Sequence, residues 1–241
     1  MKSSGHDILV FEDRPSDSPF VDRIWRSHSE DGGTFQSIAS PNWEMAVTRH
    51  EGRISLNLRG PETRATTADC PAQGEWLGIR FKLGTLMPLF PAGDLRDRRD
   101  VTLPEATSRS FWLNGSAWEY PDFENAETFV KRLVHAGLIA VDRSVDAAIR
   151  GHAQKLSVRT AQRRFLRVTG IPRSAILQIE RARRATILLK RGVSIPDTAC
   201  EAGYFDQAHL TRSVKRLIGQ TPAQIARAER QLSFLYNTNP A

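Results

Sequence analysis

The sequence predicts an α+β chain, in which a β-rich N-terminal domain is followed by an all-α domain. Three observations lead to this prediction. Apolar and polar residues alternate within residues 43–82, which is the period of a half-buried strand. Prolines and glycines interrupt residues 60–122 too often for long helices to form there. From Asp122 onward, apolar residues recur at helical spacing between capping residues.

The β-rich domain is predicted to cover residues 1–121. Residues 1–20 contain many turn-forming residues, and we expect them to be loose. Residues 43–60 predict a hairpin with its turn at residues 50–52, because Ile54, Leu56 and Leu58 alternate with polar residues after that turn. Residues 75–82 predict a third strand.

Helices are predicted throughout the second half of the chain. Residues 122–141 form a connecting helix, and a second helical stretch covers residues 144–154. The strongest helical pattern covers residues 172–191, with Pro172 at its start and Gly192 after its end. Thr221 and Gln224 have the spacing of a capping box, with Pro222 between them. The last helix therefore begins there and runs to about residue 231, and a frayed tail covers residues 231–241.

Residues 194–212 carry the most informative pattern, which is a short helix, a glycine turn and a second helix. Ser194 and Asp197 have capping-box spacing at the start of the first helix, and Gly203 can take the left-handed conformation that ends it. Asp206 can cap the second helix, whose first turns carry Gln207, Ala208, His209 and Arg212. This is the layout of a helix-turn-helix, which places the start of its second helix in the DNA major groove.

An approximate copy of this pattern lies upstream. Residues 157–170 predict another capped helix, which contains both basic and apolar residues and ends at Gly170. The second helix of the downstream unit ends in the same way, at Gly219. Two such units can read two major-groove faces one helical turn apart, roughly 34 Å.

The distribution of charge agrees with a polyanionic partner for the C-terminal half. The chain has a formal net charge of +7, but residues 142–230 hold 18 basic and 7 acidic residues, whereas the remainder is slightly acidic. A solvated charged face would give the same asymmetry, so charge alone does not decide the matter. No segment has the length and apolarity of a membrane span or the order of a signal peptide, and we expect a cytoplasmic protein.

Three blocks of the sequence resemble the AraC/XylS family of bacterial transcription regulators. The resemblance covers about residues 142–227. The blocks are residues 157–170, residues 179–183 and the closing signature, which comprises residues 195–199, 203–212, 215–216 and 219–222. Both units depart from the family pattern. The first unit has about two extra residues near positions 152–155 and lacks a clear turn glycine at the usual place. In the second unit Phe205 stands where a small polar or acidic residue is common, and Val214, Leu217 and Ile218 replace the usual aromatic residues.

The resemblance implies a DNA-binding domain over residues 142–230, with two helix-turn-helix units joined by the long helix. The function that it implies is that of a transcription regulator, either an activator or a repressor. The residues implied to contact bases are Arg159, Gln162 and Arg163 in the first unit, and Gln207, Ala208, His209 and Arg212 in the second. Arginine and glutamine can each form paired hydrogen bonds with one base. Contacts to phosphate position the protein on DNA but do not specify the base sequence. The residues expected to make them are Arg164, Arg167, Lys215 and Arg216.

The resemblance also implies partners for such a regulator. They are double-stranded DNA, a small-molecule effector in the N-terminal domain, RNA polymerase if the protein is an activator, and a second copy of the chain if it dimerises. Four tryptophans in the N-terminal half can either line an apolar pocket or belong to the core. They are Trp43, Trp76, Trp112 and Trp118.

Two other classes of function remain as alternatives. Cys70, beside Pro71, invites comparison with DNA-repair proteins that carry a methyl-accepting cysteine next to this kind of module, although no activating motif surrounds it. A nonspecific architectural DNA binder is the second alternative. The six histidines stand singly, and no hydrolase, nucleotide or metal motif is present, so we expect no enzymatic activity, no metal and no cofactor. The second cysteine, Cys200, is expected to be buried.

Overall fold

A six-stranded antiparallel sheet forms the centre of the N-terminal half. The computed structural model describes residues 8–98, 100–145, 157–227 and 232. The strand order in the sheet is β1-β2-β7-β4-β5-β9. These strands are β1 (Leu9–Pro15), β2 (Val21–Ser29), β4 (Glu44–His50), β5 (Arg53–Arg59), β7 (Glu75–Phe81) and β9 (Val101–Thr102). The predicted hairpin over residues 43–60 and the predicted strand over residues 75–82 are both confirmed.

Three smaller sheets accompany the main sheet in the described part of the chain. The pairs are β3 (Gly33–Ser37) with β6 (Thr66–Cys70), and β8 (Thr85–Leu86) with β13 (Ala140–Val141). A three-stranded meander contains β10 (Glu105–Thr107), β11 (Ser110–Leu113) and β12 (Ser116–Glu119). Among the described residues of the region 60–122, the one helix is the short α1 (Ala92–Leu95). The absence of longer helices among these described residues agrees with the prediction from the proline spacing of the region.

The two faces of the main sheet have different environments. Alternate side chains of a strand point to opposite faces, so Leu77, Ile79 and Phe81 of β7 enter the hydrophobic core, whereas Trp76 and Arg80 line a cavity on the other face. The helix α2 (Ala126–His135) packs its apolar side into the same core. The helix predicted as a connection is therefore packed into the N-terminal domain.

The prediction that residues 1–20 are loose is wrong for β1. Every residue from Leu9 to Pro15 pairs with β2, and the ion pairs Arg23–Asp13 and Arg26–Glu12 lie across the two strands. Residues 16–20 form no strand, but they are not loose either, because Ser18 is buried and the backbone N–H of Lys82 donates to the carbonyl of Phe20 at 2.8 Å. A partner strand that lies later in the sequence supplies the hydrogen bonds that make β1 a strand.

The C-terminal half is helical, as predicted. Its helices are α3 (Val158–Thr169), α4 (Arg173–Lys190), α5 (Ile195–Glu201), α6 (Gln207–Ile218) and α7 (Pro222–Ala226). The hydroxyl of Thr221 and the amide of Gln224 form the predicted capping box of α7. Most of the predicted helix over residues 144–154, the insertion near residues 152–155, and most of the predicted tail over residues 231–241 lie outside the described residues. Leu232, the described residue of that tail, is buried and forms an isolated bridge with Gln36.

Among the described helices, none has the length and apolarity needed to cross a membrane.

Candidate nucleic-acid interface

In the second helix-turn-helix unit, a side chain caps the N-terminus of each of the two helices. The backbone N–H of Asp197 donates to the hydroxyl of Ser194 at 3.2 Å at the start of α5. Gly203 has a φ of +74° after α5, which is the left-handed conformation predicted for the turn. Asp206 then caps α6, because its carboxylate accepts a hydrogen bond from the N–H of His209 at 2.6 Å.

The start of α6 presents the residues that were predicted to contact bases. Gln207, Ala208 and Arg212 are exposed. His209 is half-buried because its ring lies edge-on against Tyr204, with 5.1 Å between the ring centroids. Leu210 and Val214 are fully buried on the opposite side of the helix. This separation leaves one polar face of α6 open to a groove of DNA.

The first unit repeats the arrangement in α3. The hydroxyl of Ser157 accepts the N–H of Thr160 at 3.3 Å and so caps the helix. The side chains of Arg159, Gln162 and Arg163 are exposed, and Phe165 is buried as predicted. Gly170 ends the helix with a φ of +74°.

The candidate phosphate-contacting residues differ in their surroundings. Arg167 and Lys215 are exposed, whereas Arg216 donates to the side-chain oxygen of Gln178 on α4 at 2.8 Å. Arg164 donates from Nε to the carboxylate of Asp142 at 2.8 Å. Burial opposes ionisation of that carboxyl, but hydrogen bonds from Arg164 and Ser144 prevail and lower the pKa of Asp142.

A basic groove between α4 and α6 was not assigned from the sequence. Its lining residues are Gln178, Arg181, Tyr204, His209, Arg212, Ser213 and Arg216. The guanidinium of Arg181 lies 5.6 Å from the centre of the Tyr204 ring, and the hydroxyl of Tyr204 is 3.1 Å from that of Ser213. Arg181 is exposed on α4, and the packing of α4 on α6 places it beside Arg212.

The N-terminal domain contacts both units at the closing ends of α3 and α6. A Cβ atom added to Gly170 would lie 2.7 Å from the carbonyl of Ala92 in α1, and one added to Gly219 would lie 2.3 Å from the side chain of Gln36. The backbone N–H of Ala65 donates to the carbonyl of Arg216 at 2.9 Å. These contacts leave the opposite, N-terminal ends of α3 and α6 exposed.

A cavity of about 120 Å³ lies between the main sheet and the β3–β6 pair. Its apolar wall consists of Leu9, Phe11, Trp25, Phe35, Ile38 and Trp76, and its charged residues are Glu44, Arg59, Glu62, Asp69, Arg80 and Arg183. Of the four tryptophans considered for a pocket, only Trp76 lines this cavity. Trp43 instead stacks on Phe81 in the core at a centroid distance of 3.9 Å.

Two of the charged residues that line the cavity have distinct surroundings. Arg183 lies on α4, and its Nη2 donates to the carbonyl of Ala39 in the N-terminal domain at 3.0 Å. Burial raises the pKa of Glu62 to about 7, although the positive charge of Arg59 opposes this shift.

The two cysteines lie in different environments. Cys70 is buried, and this burial raises the pKa of its thiol, which opposes formation of a reactive thiolate. The prediction that Cys200 is buried is wrong: α5 buries Thr198 and Ala199, and the next position on the helix points outward. No group of three potential metal ligands occurs among the described residues.

The sequence of the C-terminal half matches a known family. Residues 152–228 match the family model described as a helix-turn-helix domain. They form an AraC-type helix-turn-helix domain. The AraC-type domain covers both recognition helices, α3 and α6, together with the linking helix α4. Residues 152–228 are therefore similar to the helix-turn-helix domains of AraC-type transcription regulators.

Several solved structures are similar to the whole chain at low identity. An apo ToxT variant from Vibrio cholerae is 8% identical, with a TM-score of 0.39, and the match covers 89% of this chain and 99% of that one. A second ToxT structure from the same organism is 10% identical over 93% and 99% of the two chains, with a TM-score of 0.38. A third, bound to (E)-4-(8-methylnaphthalen-1-yl)but-3-enoic acid, is 11% identical over 90% and 98%, with a TM-score of 0.37. No curated protein matches the chain significantly.

Proposed function

We propose that this protein is a sequence-specific transcription regulator that reads two adjacent major-groove segments with α3 and α6. The observation that carries the proposal is the pair of capped helices, each ending at a left-handed glycine and each exposing polar side chains at its start. Arg159, Gln162 and Arg163 read bases in the first segment. Gln207, Ala208, His209 and Arg212 read bases in the second segment.

Phosphate contacts fix the position of the domain on DNA. Arg167 and Lys215 are free to reach phosphate oxygens, whereas Arg164 and Arg216 must first exchange the partners described above. Arg181 joins this set, because it lies beside Arg212 in the groove between α4 and α6. These contacts give affinity that falls with salt but carry no sequence information.

The domain boundaries follow from the same proposal. Residues 1–121 sense a signal or support association, residues 122–141 join this part to the rest, and residues 142–230 bind DNA. The protein acts in the bacterial cytoplasm, with RNA polymerase as a partner if it activates and a second copy of the chain if it dimerises.

The cavity in the N-terminal domain is the proposed effector site. A cavity of about 150 Å³ in another protein holds benzene, so a volume of about 120 Å³ suits a small aromatic molecule. Trp25 and Trp76 provide apolar contact, and the buried hydroxyl of Ser40 has no hydrogen-bond partner among the described residues. A polar group of the effector would satisfy that hydroxyl. Arg183 then gives the site a direct connection to α4.

Tryptophan fluorescence tests the effector proposal. Small aromatic compounds that quench the wild-type protein should not quench an Ala68→Leu variant, because the added side chain occupies the cavity that Ala68 lines. Equal quenching of both proteins would place the bound compound elsewhere.

The regulator proposal is tested by selection from a random double-stranded DNA pool with the full chain at near-physiological salt. The expected result is one motif with two blocks about 10 base pairs apart, bound about 10³-fold or more tightly than random sequence. A single block would show that α3 does not read bases. Equal affinity for all sequences would identify a nonspecific architectural binder instead.

A further inference from the structure

Phe205 is the most exposed large apolar side chain in the described part of the protein. It retains 93% of its accessible surface and lies immediately before Asp206, the cap of α6. An apolar side chain of this size is ordinarily stabilised by burial, worth about 1.5–3 kcal/mol. Its full exposure at the start of a recognition helix therefore needs a reason.

The packing of the turn does not supply that reason. An apolar residue just before a helix cap commonly packs on the fourth residue of the helix, which here is Leu210. Leu210 is fully buried, yet Phe205 remains exposed, so the two do not form this contact. Tyr204 is the aromatic residue that the fold uses, because its ring is buried against His209 and its hydroxyl lies beside that of Ser213.

The backbone on both sides of Phe205 is held in place. Gly203 ends α5 in the left-handed conformation, Tyr204 is anchored in the core, and the cap of Asp206 fixes the first turn of α6. The phenyl ring is therefore presented from a rigid position next to the exposed side chains of Gln207 and Ala208. A groove that accepts the start of α6 also receives this ring.

We propose that Phe205 is a specificity-determining residue that contacts the C5-methyl group of thymine in the DNA major groove. This methyl group is the apolar feature that distinguishes thymine in that groove, and phenylalanine is among the side chains that contact it. The inference rests on the proposed reading of DNA by α6. It predicts that the site selected by the protein contains a thymine next to the bases read by Gln207 and Ala208.

The test is a cycle of protein and DNA changes, measured by fluorescence anisotropy with the full chain on its selected site. Each thymine is replaced in turn by deoxyuridine, which removes only the methyl group. The wild-type protein should lose about fourfold in affinity at one thymine, the value expected from the transfer of one methyl group. Phe205→Ala should bind the unmodified site at least fourfold more weakly and should be insensitive to deoxyuridine at that same position.

Two variants serve as controls. Phe205→Leu keeps an apolar side chain and should retain part of the sensitivity to the methyl group. Leu177→Ala removes another exposed apolar side chain, from α4, and should leave the sensitivity to every thymine unchanged. Because Phe205 makes so little contact with the fold, thermal unfolding of Phe205→Ala should match that of the wild type.

The outcomes separate this inference from the proposed function. The protein could select a motif in which no thymine methyl group is coupled to Phe205. That result would overturn the inference and leave the regulator proposal intact. Unchanged affinity of Phe205→Ala for every DNA would also overturn it. Failure to select any motif would overturn the proposed function, and this inference with it.

Discussion

Arg164 on the first recognition helix donates a 2.8 Å hydrogen bond to Asp142, which lies just after the last strand of the N-terminal half. The carboxylate is nearly buried, whereas the guanidinium retains 45% of its exposure. Asp142 thus holds an arginine that the sequence assigns to phosphate contact. A phosphate and this carboxylate would compete for the same side chain, so we expect the pair to oppose DNA binding by α3.

Asp142→Asn should strengthen binding to DNA because it removes this competition. The asparagine keeps the side-chain oxygen that accepts the N–H of Ser144 at 2.9 Å, so the local turn should persist. One additional phosphate contact would steepen the slope of log affinity against log salt by about 0.9. Titrations at several salt concentrations measure this slope. The double variant Asp142→Asn with Arg164→Ala should bind DNA no more tightly than Arg164→Ala alone. Tighter binding by the double variant would assign the effect to another residue.

Arg212→Ala and Lys215→Ala should have different effects on binding. Arg212 adjoins the exposed start of α6, so its loss should weaken binding by about 1–3 kcal/mol on the selected site and relax preference at one base pair. Lys215 lies near the end of the helix, and its loss should weaken binding to all sequences and flatten the salt slope by about one. Competition binding with a set of single-base site variants distinguishes the two patterns. A uniform loss for Arg212→Ala would show that it contacts phosphate.

Gly219→Ala should loosen the contact between the N-terminal domain and α6. The position has a φ of +86°, and the added Cβ would lie 2.3 Å from the buried side chain of Gln36. Gly203→Ala is the matched control, because its φ is +74° but nothing lies within 4 Å of the added atom. Both changes carry the backbone cost of about 1–2 kcal/mol. Gly219→Ala should cost an additional 1–3 kcal/mol or so, as overpacked sites do.

Urea unfolding measures the difference between these two glycine variants. The double variant Gly219→Ala with Gln36→Ala should recover most of the additional loss, because the side chain that the new Cβ meets is shortened. Equal stability of Gly219→Ala and Gly203→Ala would show that Gln36 moves aside without cost, and that the contact adds little to the stability of the chain.

Local patterns allowed much of the fold to be predicted. The capping residues Ser157, Ser194, Asp206 and Thr221 act within three residues of their partners, so sequence spacing alone located the helices they begin. The alternation in β5 and β7 likewise located the residues that enter the core, but it did not predict that Asn57 and Arg80 on the opposite face are buried too. Strand β1 escaped prediction because its partner supplies its hydrogen bonds, and the Arg164–Asp142 pair escaped because it joins two residues that are 22 positions apart in the sequence.

In the candidate site, too, local features were predicted and tertiary arrangements were not. The family resemblance implied the candidate residues of α3 and α6, and all of them except the half-buried His209 are exposed. The cavity requires the β3–β6 pair to close over the main sheet, and the contact of Gly219 with Gln36 requires two domains to dock. Neither arrangement leaves a local signal in the sequence. The exposure of Phe205 is also a tertiary property, since the same spacing permits the ring to pack on Leu210.

Glu62→Gln should stabilise the protein at high pH and have little effect at low pH. Burial raises the pKa of Glu62 from 4.5 to about 7, against the attraction of Arg59 and with a further contribution from Glu44. Between these two values the folded state holds a proton that the unfolded state has released, so the free energy of unfolding falls as pH rises through this window. The glutamine cannot ionise and avoids this loss, which is at most about 3 kcal/mol above pH 7.

Glu127→Gln provides the opposite control, because a hydrogen bond from Arg14 lowers the pKa of Glu127 despite partial burial. That carboxylate stabilises the protein at pH values above its unfolded pKa, and its contribution is lost as pH falls through the folded pKa. Glu127→Gln should therefore be less stable than the wild type near neutral pH and should converge with it in acid. Urea unfolding from about pH 2 to about pH 8 measures both variants. Parallel stability curves for Glu62→Gln and the wild type would show that Glu62 ionises normally in the folded protein.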